Sequence, residues 1–194
     1  MSPLSALEVL REEHRWIARM LDLFEHLALD GRRHGRLAAE PAAELLALFV
    51  HFADGLHQER EEACLFARLF ARVHTVEERV VLGRLCGEHE EERRTLRTLS
   101  DSLLGAIYGR AGDLSQFLRE SEAFVRLHRR HLADETRELL PMAERLLEPE
   151  DDALLLQLYR GLDCGGPDLA SIAARITRLA ERLEPRADGA ATSH

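Results

Sequence analysis

Four long stretches of this chain carry apolar residues at every third or fourth position, and most glycines and prolines cluster between them. That spacing is typical of α-helices with one buried face. We predict helices over about residues 4–29, 41–73, 76–108 and 114–147, with the first ending in a loop over residues 30–35. Four helices of similar length with short connections fold most simply into an up-down-up-down bundle. The sequence therefore predicts an all-α four-helix bundle.

Two shorter helices are predicted after the bundle, over about residues 151–162 and 167–183. We expect three parts in the chain: the bundle over residues 1–148, a helical extension over 149–184, and a flexible tail over 185–194. The extension is expected to pack on the bundle or to form a dimer surface, so a homodimer is one expected assembly.

The charge balance and the cysteines exclude several classes of protein. The 194 residues include 26 basic and 35 acidic ones, a net charge of −9, which leaves no concentrated basic surface for nucleic acid or an anionic membrane. Three separated cysteines, Cys64, Cys86 and Cys164, argue against a disulfide framework or a cysteine zinc site. The amino terminus has no signal-peptide pattern. We expect a soluble cytoplasmic protein without a nucleic-acid or membrane partner.

Histidine recurs in an order that is repeated between the two halves of the predicted bundle. The first and third helices each contain L-x-x-E-H, whereas the second and fourth each contain H-x-x-x-E. The six residues concerned are His14 and His89 in the first phrase, and His57, Glu61, His131 and Glu135 in the second. Residues four apart in a helix lie about 40° apart around its axis, so the histidine and glutamate of each H-x-x-x-E project together.

All four histidines are predicted to point inward. Helical arithmetic places Leu46, Val50, Ala53 and Cys64 on the face of His57, with similar apolar residues around the other three. Burying four imidazoles and two carboxylates is costly unless something satisfies them, and two metal ions would do so. A single inward histidine is more often a hydrogen-bonded core residue. One such phrase on each of four successive helices favours a metal site, with a purely structural bundle as the alternative.

These ordered phrases resemble the hemerythrin-like, or HHE cation-binding, family. The resemblance covers about residues 10–147. It rests on L-x-x-E-H at His14 and His89, on F-A-D-x-x-H-x-x-x-E-E-x-x-L-F over residues 52–66, and on H-x-x-x-E-x-x-x-L-x-P-M-A over residues 131–143. It implies a bundle that holds two non-haem iron ions bridged by carboxylates and an oxo or hydroxo group, with manganese or zinc as substitutes. It also implies reversible binding of O₂, or related chemistry of peroxide or nitric oxide.

The resemblance also implies which residues bind the metal. Carried over position by position, the ligands are His14, His57, Glu61, His89, His131 and Glu135. The two glutamates become the bridges, because only carboxylates span two cations while cancelling charge. Nitrogen and oxygen donors of this kind suit iron or manganese.

The chain departs from the family pattern at two places. True hemerythrins have a second histidine four residues away on the third helix, where this chain has Leu85 and Arg93. Many relatives have histidine or glutamate directly after the first histidine of the second-helix phrase, and here that residue is Gln58. The missing ligand is therefore His128, Gln58 or water, since Glu62 is more often a surface charge than a ligand. An open position favours redox chemistry or sensing over simple carriage.

Three functions follow from this pattern, in addition to the purely structural bundle. The leading hypothesis is a di-iron protein that binds or senses O₂ or a related small oxidant. The second is a redox enzyme of the peroxidase or oxidase type with the same metals. The third is a metal-responsive interaction module in which the helices after Pro149 dock a partner or a second subunit.

Overall fold

The computed structural model describes residues 4–163 and 166–184, whose regular secondary structure is entirely helical. The predicted all-α architecture is confirmed. Cys164, His194 and the tail predicted over residues 185–194 lie outside the described residues. The helices are α1 (Ala6–His34), α2 (Ala39–Leu48), α3 (Ala67–Phe70), α4 (Val76–Ile107), α5 (Ala111–Asp134), α6 (Leu140–Leu146), α7 (Pro149–Leu162) and α8 (Leu169–Leu183).

Two of the four bundle helices contain π-helical turns. The first and third bundle helices are α1 and α4. The second bundle helix begins with α2 and continues into α3 through π-helical turns at Phe49–Gln58 and Arg60–Phe66. The fourth begins with α5 and continues into α6 through a π-helical turn at Glu135–Leu139. A π turn bonds residues five apart and is frequent at functional sites. The glutamates of both H-x-x-x-E phrases lie in these π-helical segments.

The wider turns change which residues face inward. The prediction that Val50 shares the buried face of His57 is wrong, because its side chain is 36% exposed. Leu46, Ala53 and Cys64 are buried as predicted. Because a π turn holds more residues than an α turn, positions counted at 3.6 residues per turn drift around the axis.

The first helix is longer than its glycine content suggests. The predicted loop over residues 30–35 is wrong, since α1 runs through to His34 and ends at Gly35 with φ of 70°. Gly31 lies inside the helix and is buried against Leu37, whose Cδ2 would be 2.5 Å from a Cβ at position 31. Gly31 therefore permits close packing, whereas Gly35 supplies the left-handed residue that commonly ends a helix.

Apolar clusters fill the two ends of the bundle. One contains the aromatic side chains of Phe24, Phe49, Phe117 and Phe124, whose ring centroids lie 5.0–6.1 Å apart. The other contains Phe66 together with leucines from all four bundle helices. The six candidate ligands lie between these clusters along the helices, so the polar centre is enclosed by apolar side chains.

The two C-terminal helices pack on the bundle. Tyr159 of α7 is buried in the cluster around Phe66, and Ile176 of α8 in the cluster around the four phenylalanines. The backbone N–H of Ala6 donates to the Asp152 carboxylate at 2.7 Å, which fixes the start of α1 against α7. None of the described helices is both long enough and apolar enough to span a membrane.

Candidate metal centre

The six side chains predicted as ligands lie together in the middle of the bundle. Each is at most 8% exposed. They form two overlapping groups whose nitrogen and oxygen atoms lie within 4.8 Å of one another, close enough to hold a metal ion in each group. The groups are His14, His57, Glu61 and Glu135, and Glu61, His89, His131 and Glu135. Both glutamates belong to both groups, which is the arrangement that a pair of bridged cations requires.

We call His14 and His57 the N-terminal half-site. The ring centroids of these two histidines lie 4.9 Å apart, with the ring planes at 77°. His14 Nε2 is 3.2 Å from Glu135 Oε2 and 3.8 Å from Glu61 Oε1, and His57 Nε2 is 3.6 Å from Glu61 Oε2. Both imidazoles therefore present Nε2 to the shared carboxylates.

We call His89 and His131 the C-terminal half-site. Their Nε2 atoms lie 2.9 Å apart, and the ring centroids 4.6 Å apart. His131 Nε2 is 2.9 Å from Glu135 Oε1, and His89 Nε2 is 3.4 Å from Glu61 Oε2. Each half-site thus has two imidazoles and the same two carboxylates, so the sequence repeat is also a repeat in space.

The centre contains buried polar atoms that the described protein does not satisfy. Both carboxylate oxygens of Glu61 and Glu135, and Nε2 of His14 and His57, are buried without a hydrogen bond. Glu135 Oε1 is near His131 Nε2, but the approach does not have hydrogen-bond geometry. Buried polar atoms are nearly always hydrogen-bonded or bound to a metal. A set of imidazole nitrogens and carboxylate oxygens fits first-row divalent metals.

Carboxylates outside the centre orient three of the four imidazoles. His57 Nδ1 is 3.0 Å from Glu13 Oε2, and His131 Nδ1 is 2.9 Å from Glu88 Oε2. A carboxylate on Nδ1 keeps the proton there and leaves the Nε2 lone pair directed at the metal site. Sequence analysis missed Glu13 and Glu88, although each is the glutamate of an L-x-x-E-H phrase and supports the histidine of another helix.

The third imidazole uses a residue that sequence analysis treated as a surface charge. Glu62 Oε1 is 2.6 Å from His89 Nδ1, and it also accepts a hydrogen bond from Arg93 at 2.5 Å. Arg93 bonds Asp54 as well, with its Nε 2.7 Å from Asp54 Oδ1. Arg93, one of the two positions considered for the absent histidine, therefore does not enter the centre, and it holds the carboxylate that orients His89.

A second chain of contacts connects the centre to α7. Glu13 forms a buried ion pair with Arg60, and Arg60 also pairs with Asp163 at the end of α7. The Arg60 guanidinium lies 5.3 Å from the ring centroid of Tyr159. Glu13 thus holds His57, Arg60 holds Glu13, and both Tyr159 in α7 and Asp163 next to it contact Arg60.

Neither protein residue considered for the missing ligand joins the two groups. His128 is buried, but its Nδ1 lies 3.3 Å from Glu92 Oε1 and its ring centroid is 6.2 Å from that of His131. Gln58 is buried as well, and its Nε2 donates to Glu92 Oε2 at 2.7 Å. Glu92, three residues after His89, is a buried carboxylate that sequence analysis missed.

The remaining described histidines and cysteines lie away from the centre. Four histidines are exposed: His26, His34, His51 and His74. Cys64 is buried in the apolar cluster around Phe66, as a small hydrophobic residue would be, and Cys86 is half-buried; both are free thiols. The described histidines therefore fall into two groups: five are buried in or beside the centre, and these four are exposed to solvent.

The pKa values of the histidines reflect the competition between burial and the carboxylates. Burial lowers the pKa of His57 to about 4. Burial also lowers the pKa of His14, but Glu135 and Glu61 outweigh it and raise that pKa to about 9. For His89 the carboxylates likewise outweigh burial and raise the pKa to about 12. Although burial raises the pKa of both shared glutamates, the imidazoles hold it below the usual value.

A family model described as the hemerythrin HHE cation binding domain matches residues 5–143. The chain belongs to this family. No curated protein and no solved structure gives a significant match to it. Family membership and the two His/Glu groups agree on cation binding as a property of the bundle. The matched region ends before α7 begins at Pro149, so Tyr159 and Asp163, which contact Arg60, lie outside the family domain.

Proposed function

We propose that this protein holds a dinuclear non-haem iron centre and binds or senses O₂ or a related small oxidant. The proposed ligands are His14, His57, Glu61, His89, His131 and Glu135, with the two glutamates as bridges. The observation that carries the proposal is the pair of shared, fully buried carboxylates whose four oxygens have no hydrogen bond, surrounded by four imidazoles. A structural bundle would leave those four oxygens without a hydrogen bond and would balance the two buried charges only with protonated imidazoles, which is a large cost in a low-dielectric interior.

The donor count favours a reactive centre over a closed structural one. Each group offers two imidazoles and two carboxylates, so each ion would have four protein ligands. Iron and manganese accept more than four ligands, so positions remain for water or a small molecule. Iron held there would supply electrons to bound dioxygen or peroxide.

The chain itself contributes orientation and exclusion of water. Glu13, Glu88 and Glu62 hold three Nδ1 atoms, which keeps the Nε2 atoms directed inward. The Phe66 ring stacks on His89 with centroids 5.7 Å apart and planes at 7°. Apolar clusters on both sides separate the centre from bulk water, which strengthens the attraction between cations and carboxylates.

The test is metal loading followed by spectroscopy. Purified protein is loaded with Fe(II) without oxygen, the iron is counted, and the sample is then exposed to air. We expect two irons per chain and new absorption bands in the near ultraviolet. His51→Ala, an exposed histidine on the second bundle helix, is the matched control and should load normally. Fewer than one iron per chain, with no change in His57→Ala or His131→Ala, would contradict the proposal. Competition with manganese and zinc identifies the preferred metal.

A redox enzyme of the peroxidase or oxidase type is the second candidate. It is favoured by the position of Arg93, which replaces an imidazole and bonds Asp54 and Glu62 instead of the centre. Steady turnover of hydrogen peroxide would support the enzyme, whereas reversible uptake and release of O₂ would support the carrier or sensor. The homodimer, the metal-responsive interaction module, the cytoplasmic location and the lack of a nucleic-acid partner stay predictions.

A further inference from the structure

A small polar chamber lies beside the C-terminal half-site and is not used by the proposed ligands. Gln58, Glu92 and His128 line a cavity of about 10 Å³, and their side chains are all at least 96% buried. Three of their atoms have no hydrogen bond: Gln58 Oε1, Glu92 Oε1 and His128 Nδ1. Phe49 and Phe124 complete the apolar part of the wall. Polar atoms are thus concentrated around a void in an otherwise apolar part of the bundle.

The size and chemistry of the chamber match one water molecule. A buried water needs a void of at least about 10–15 Å³ and makes about three hydrogen bonds to otherwise unsatisfied polar groups. The hydrogen bond from Gln58 Nε2 to Glu92 Oε2, at 2.7 Å, directs Gln58 Oε1 away from that carboxylate and leaves it as an acceptor. Glu92 Oε1 and His128 Nδ1 lie 3.3 Å apart without hydrogen-bond geometry, so a water molecule beside the two atoms, in the cavity, can bond to both.

A second cavity lies between the chamber and the outer surface. It has a volume of about 250 Å³ and lies between the second and third bundle helices. Asp54, Arg93 and Leu96 line both the chamber and this outer cavity, whereas Arg97 and Ser100 line only the outer one. The wall between the two spaces is therefore formed by Asp54, Arg93 and Leu96.

The strongest contact in that wall is an ion pair. Arg93 Nε donates to Asp54 Oδ1 at 2.7 Å, and a second guanidinium nitrogen of Arg93 bonds Glu62. The Arg93 side chain is 20% exposed and the Asp54 side chain 32% exposed, so the pair lies at the boundary between the interior and solvent. Ion pairs near the surface contribute little to the free energy of unfolding, so this pair can separate while the fold stays intact.

We propose that Gln58, Glu92 and His128 hold one water molecule in this chamber, and that the Arg93–Asp54 ion pair closes the path by which water and small oxidants move between the outer cavity and the metal centre. The water site stands on the polar atoms alone. The path to the metal centre rests on the proposed function, and it is inferred from His128, whose ring on the chamber wall lies 6.2 Å from the ring of His131.

The water site is tested in a high-resolution crystal structure of the protein prepared without metal. We expect an ordered water about 3 Å from Gln58 Oε1, Glu92 Oε1 and His128 Nδ1. In Gln58→Leu, which removes the amide acceptor, the water should be lost or displaced. An empty chamber, or one closed by a direct hydrogen bond between Glu92 and His128, would overturn the water site.

The ion pair is tested by the exchange of the chamber water with bulk water, measured by magnetic relaxation dispersion on protein without metal. Asp54→Ala removes the pair but leaves Arg93 bonded to Glu62, and it should speed this water exchange by about fivefold. Asp54→Asn, which conserves the shape, should give a smaller increase. Arg97→Ala, in the outer cavity only, should leave the rate unchanged. Equal rates in Asp54→Ala and the natural protein would overturn the closing role.

A final experiment extends the path to the metal centre. In iron-loaded protein, the rate of nitric oxide association should rise in Asp54→Ala and stay unchanged in Arg97→Ala. Faster exchange of the chamber water without a faster association rate would place the entrance to the centre elsewhere and overturn this part of the proposal. Failure of iron loading would contradict the proposed function and leave the two metal-free experiments to decide the chamber and the ion pair.

Discussion

The two half-sites contain the same ligand types and share both carboxylates, yet they are supported from different parts of the molecule. In the N-terminal half-site, His57 bonds Glu13, which is fully buried and paired with Arg60, itself only 5% exposed. In the C-terminal half-site, the carboxylates on His131 and His89 are Glu88 and Glu62, and their arginine partners lie near the surface. A buried support cannot be replaced by water, whereas a partly exposed one can. Mutations in the two half-sites should therefore have different effects on stability and on metal binding.

The largest effect is expected from the shared carboxylates. Glu61→Ala or Glu135→Ala should abolish binding of both ions, because each glutamate belongs to both groups. His57→Ala and His131→Ala should each weaken one half-site and leave the other loaded. Metal analysis after loading and desalting distinguishes these patterns. Glu59→Ala, an exposed glutamate on the same helix, serves as the control. Retention of both ions in Glu61→Ala would show that the half-sites are independent.

The second effect concerns the arginines behind the half-sites. Arg60→Met leaves the Glu13 charge buried without its partner and should reduce the free energy of unfolding by about 3–5 kcal/mol. Arg84→Met removes an arginine that is 34% exposed and pairs with Glu88, Asp134 and Glu138; because water can take its place, the change should cost less, about 1 kcal/mol. Denaturant titration of both variants measures the difference. Equal losses of unfolding free energy in the two variants would mean that burial of the ion pair does not matter. Glu13→Gln combined with Arg60→Met removes the unpaired charge and should recover part of the lost stability.

A third, smaller difference should be visible in the pH dependence of metal binding. His14 has a pKa of about 9 and His57 of about 4, so at neutral pH the N-terminal half-site must release one proton when a metal binds. In the other half-site, the pKa of His89 is about 12 and nearby carboxylates raise the pKa of His131 well above its usual value. Because the Nε2 atoms of His89 and His131 lie 2.9 Å apart, only one of them carries a proton there, so this half-site also releases one proton. Affinity should fall by about tenfold per pH unit on acidification, from about pH 9 in the N-terminal half-site and already from a higher pH in the C-terminal one.

Calorimetry in buffers of different ionisation enthalpy counts the released protons directly. His131→Ala reports the N-terminal half-site and His57→Ala the C-terminal one. If either variant releases no proton at neutral pH, the carboxylates do not raise the pKa values of the histidines as their geometry predicts.

The smallest effect is expected at Tyr159 of α7. Its hydroxyl is buried without a hydrogen bond among the described residues, and burial together with the Glu61 charge raises its pKa. Tyr159→Phe keeps the ring under Arg60 and removes only the unsatisfied hydroxyl, so stability should change by less than about 1 kcal/mol. Tyr159→Ala should instead loosen Arg60 and weaken metal binding in the N-terminal half-site. A large loss in Tyr159→Phe would assign the hydroxyl a role in that half-site.

Much of the bundle could be predicted because its signals are local. Apolar periodicity located the long helices, and the spacing of H-x-x-x-E placed each histidine and glutamate on one side of a helix. The errors have physical causes in packing. Gly31 was interpreted as a helix breaker because its contact with Leu37 is not visible in sequence. Val50 was misplaced because π-helical turns replace α-helical ones beside the centre.

The supports of the centre were missed for a different reason. Glu13 and Glu88 directly precede candidate ligands in sequence, yet each bonds a histidine of another helix. Glu62 and Arg93 form an ion pair between two helices. Arg60 contacts Tyr159, which lies in the C-terminal extension outside the family domain. None of these pairings has a fixed spacing along the chain.

The sequence by itself determined which residues share a helix face, because that depends only on the helical period and on the order of side chains. It therefore determined the bundle and the six side chains that meet in its middle. The tertiary structure decided which helix faces pack against each other and how the helices are aligned along the bundle axis. Both depend on packing between helices that are distant in the chain. The orienting carboxylates, the buried Arg60 and the chamber beside His131 are consequences of that packing.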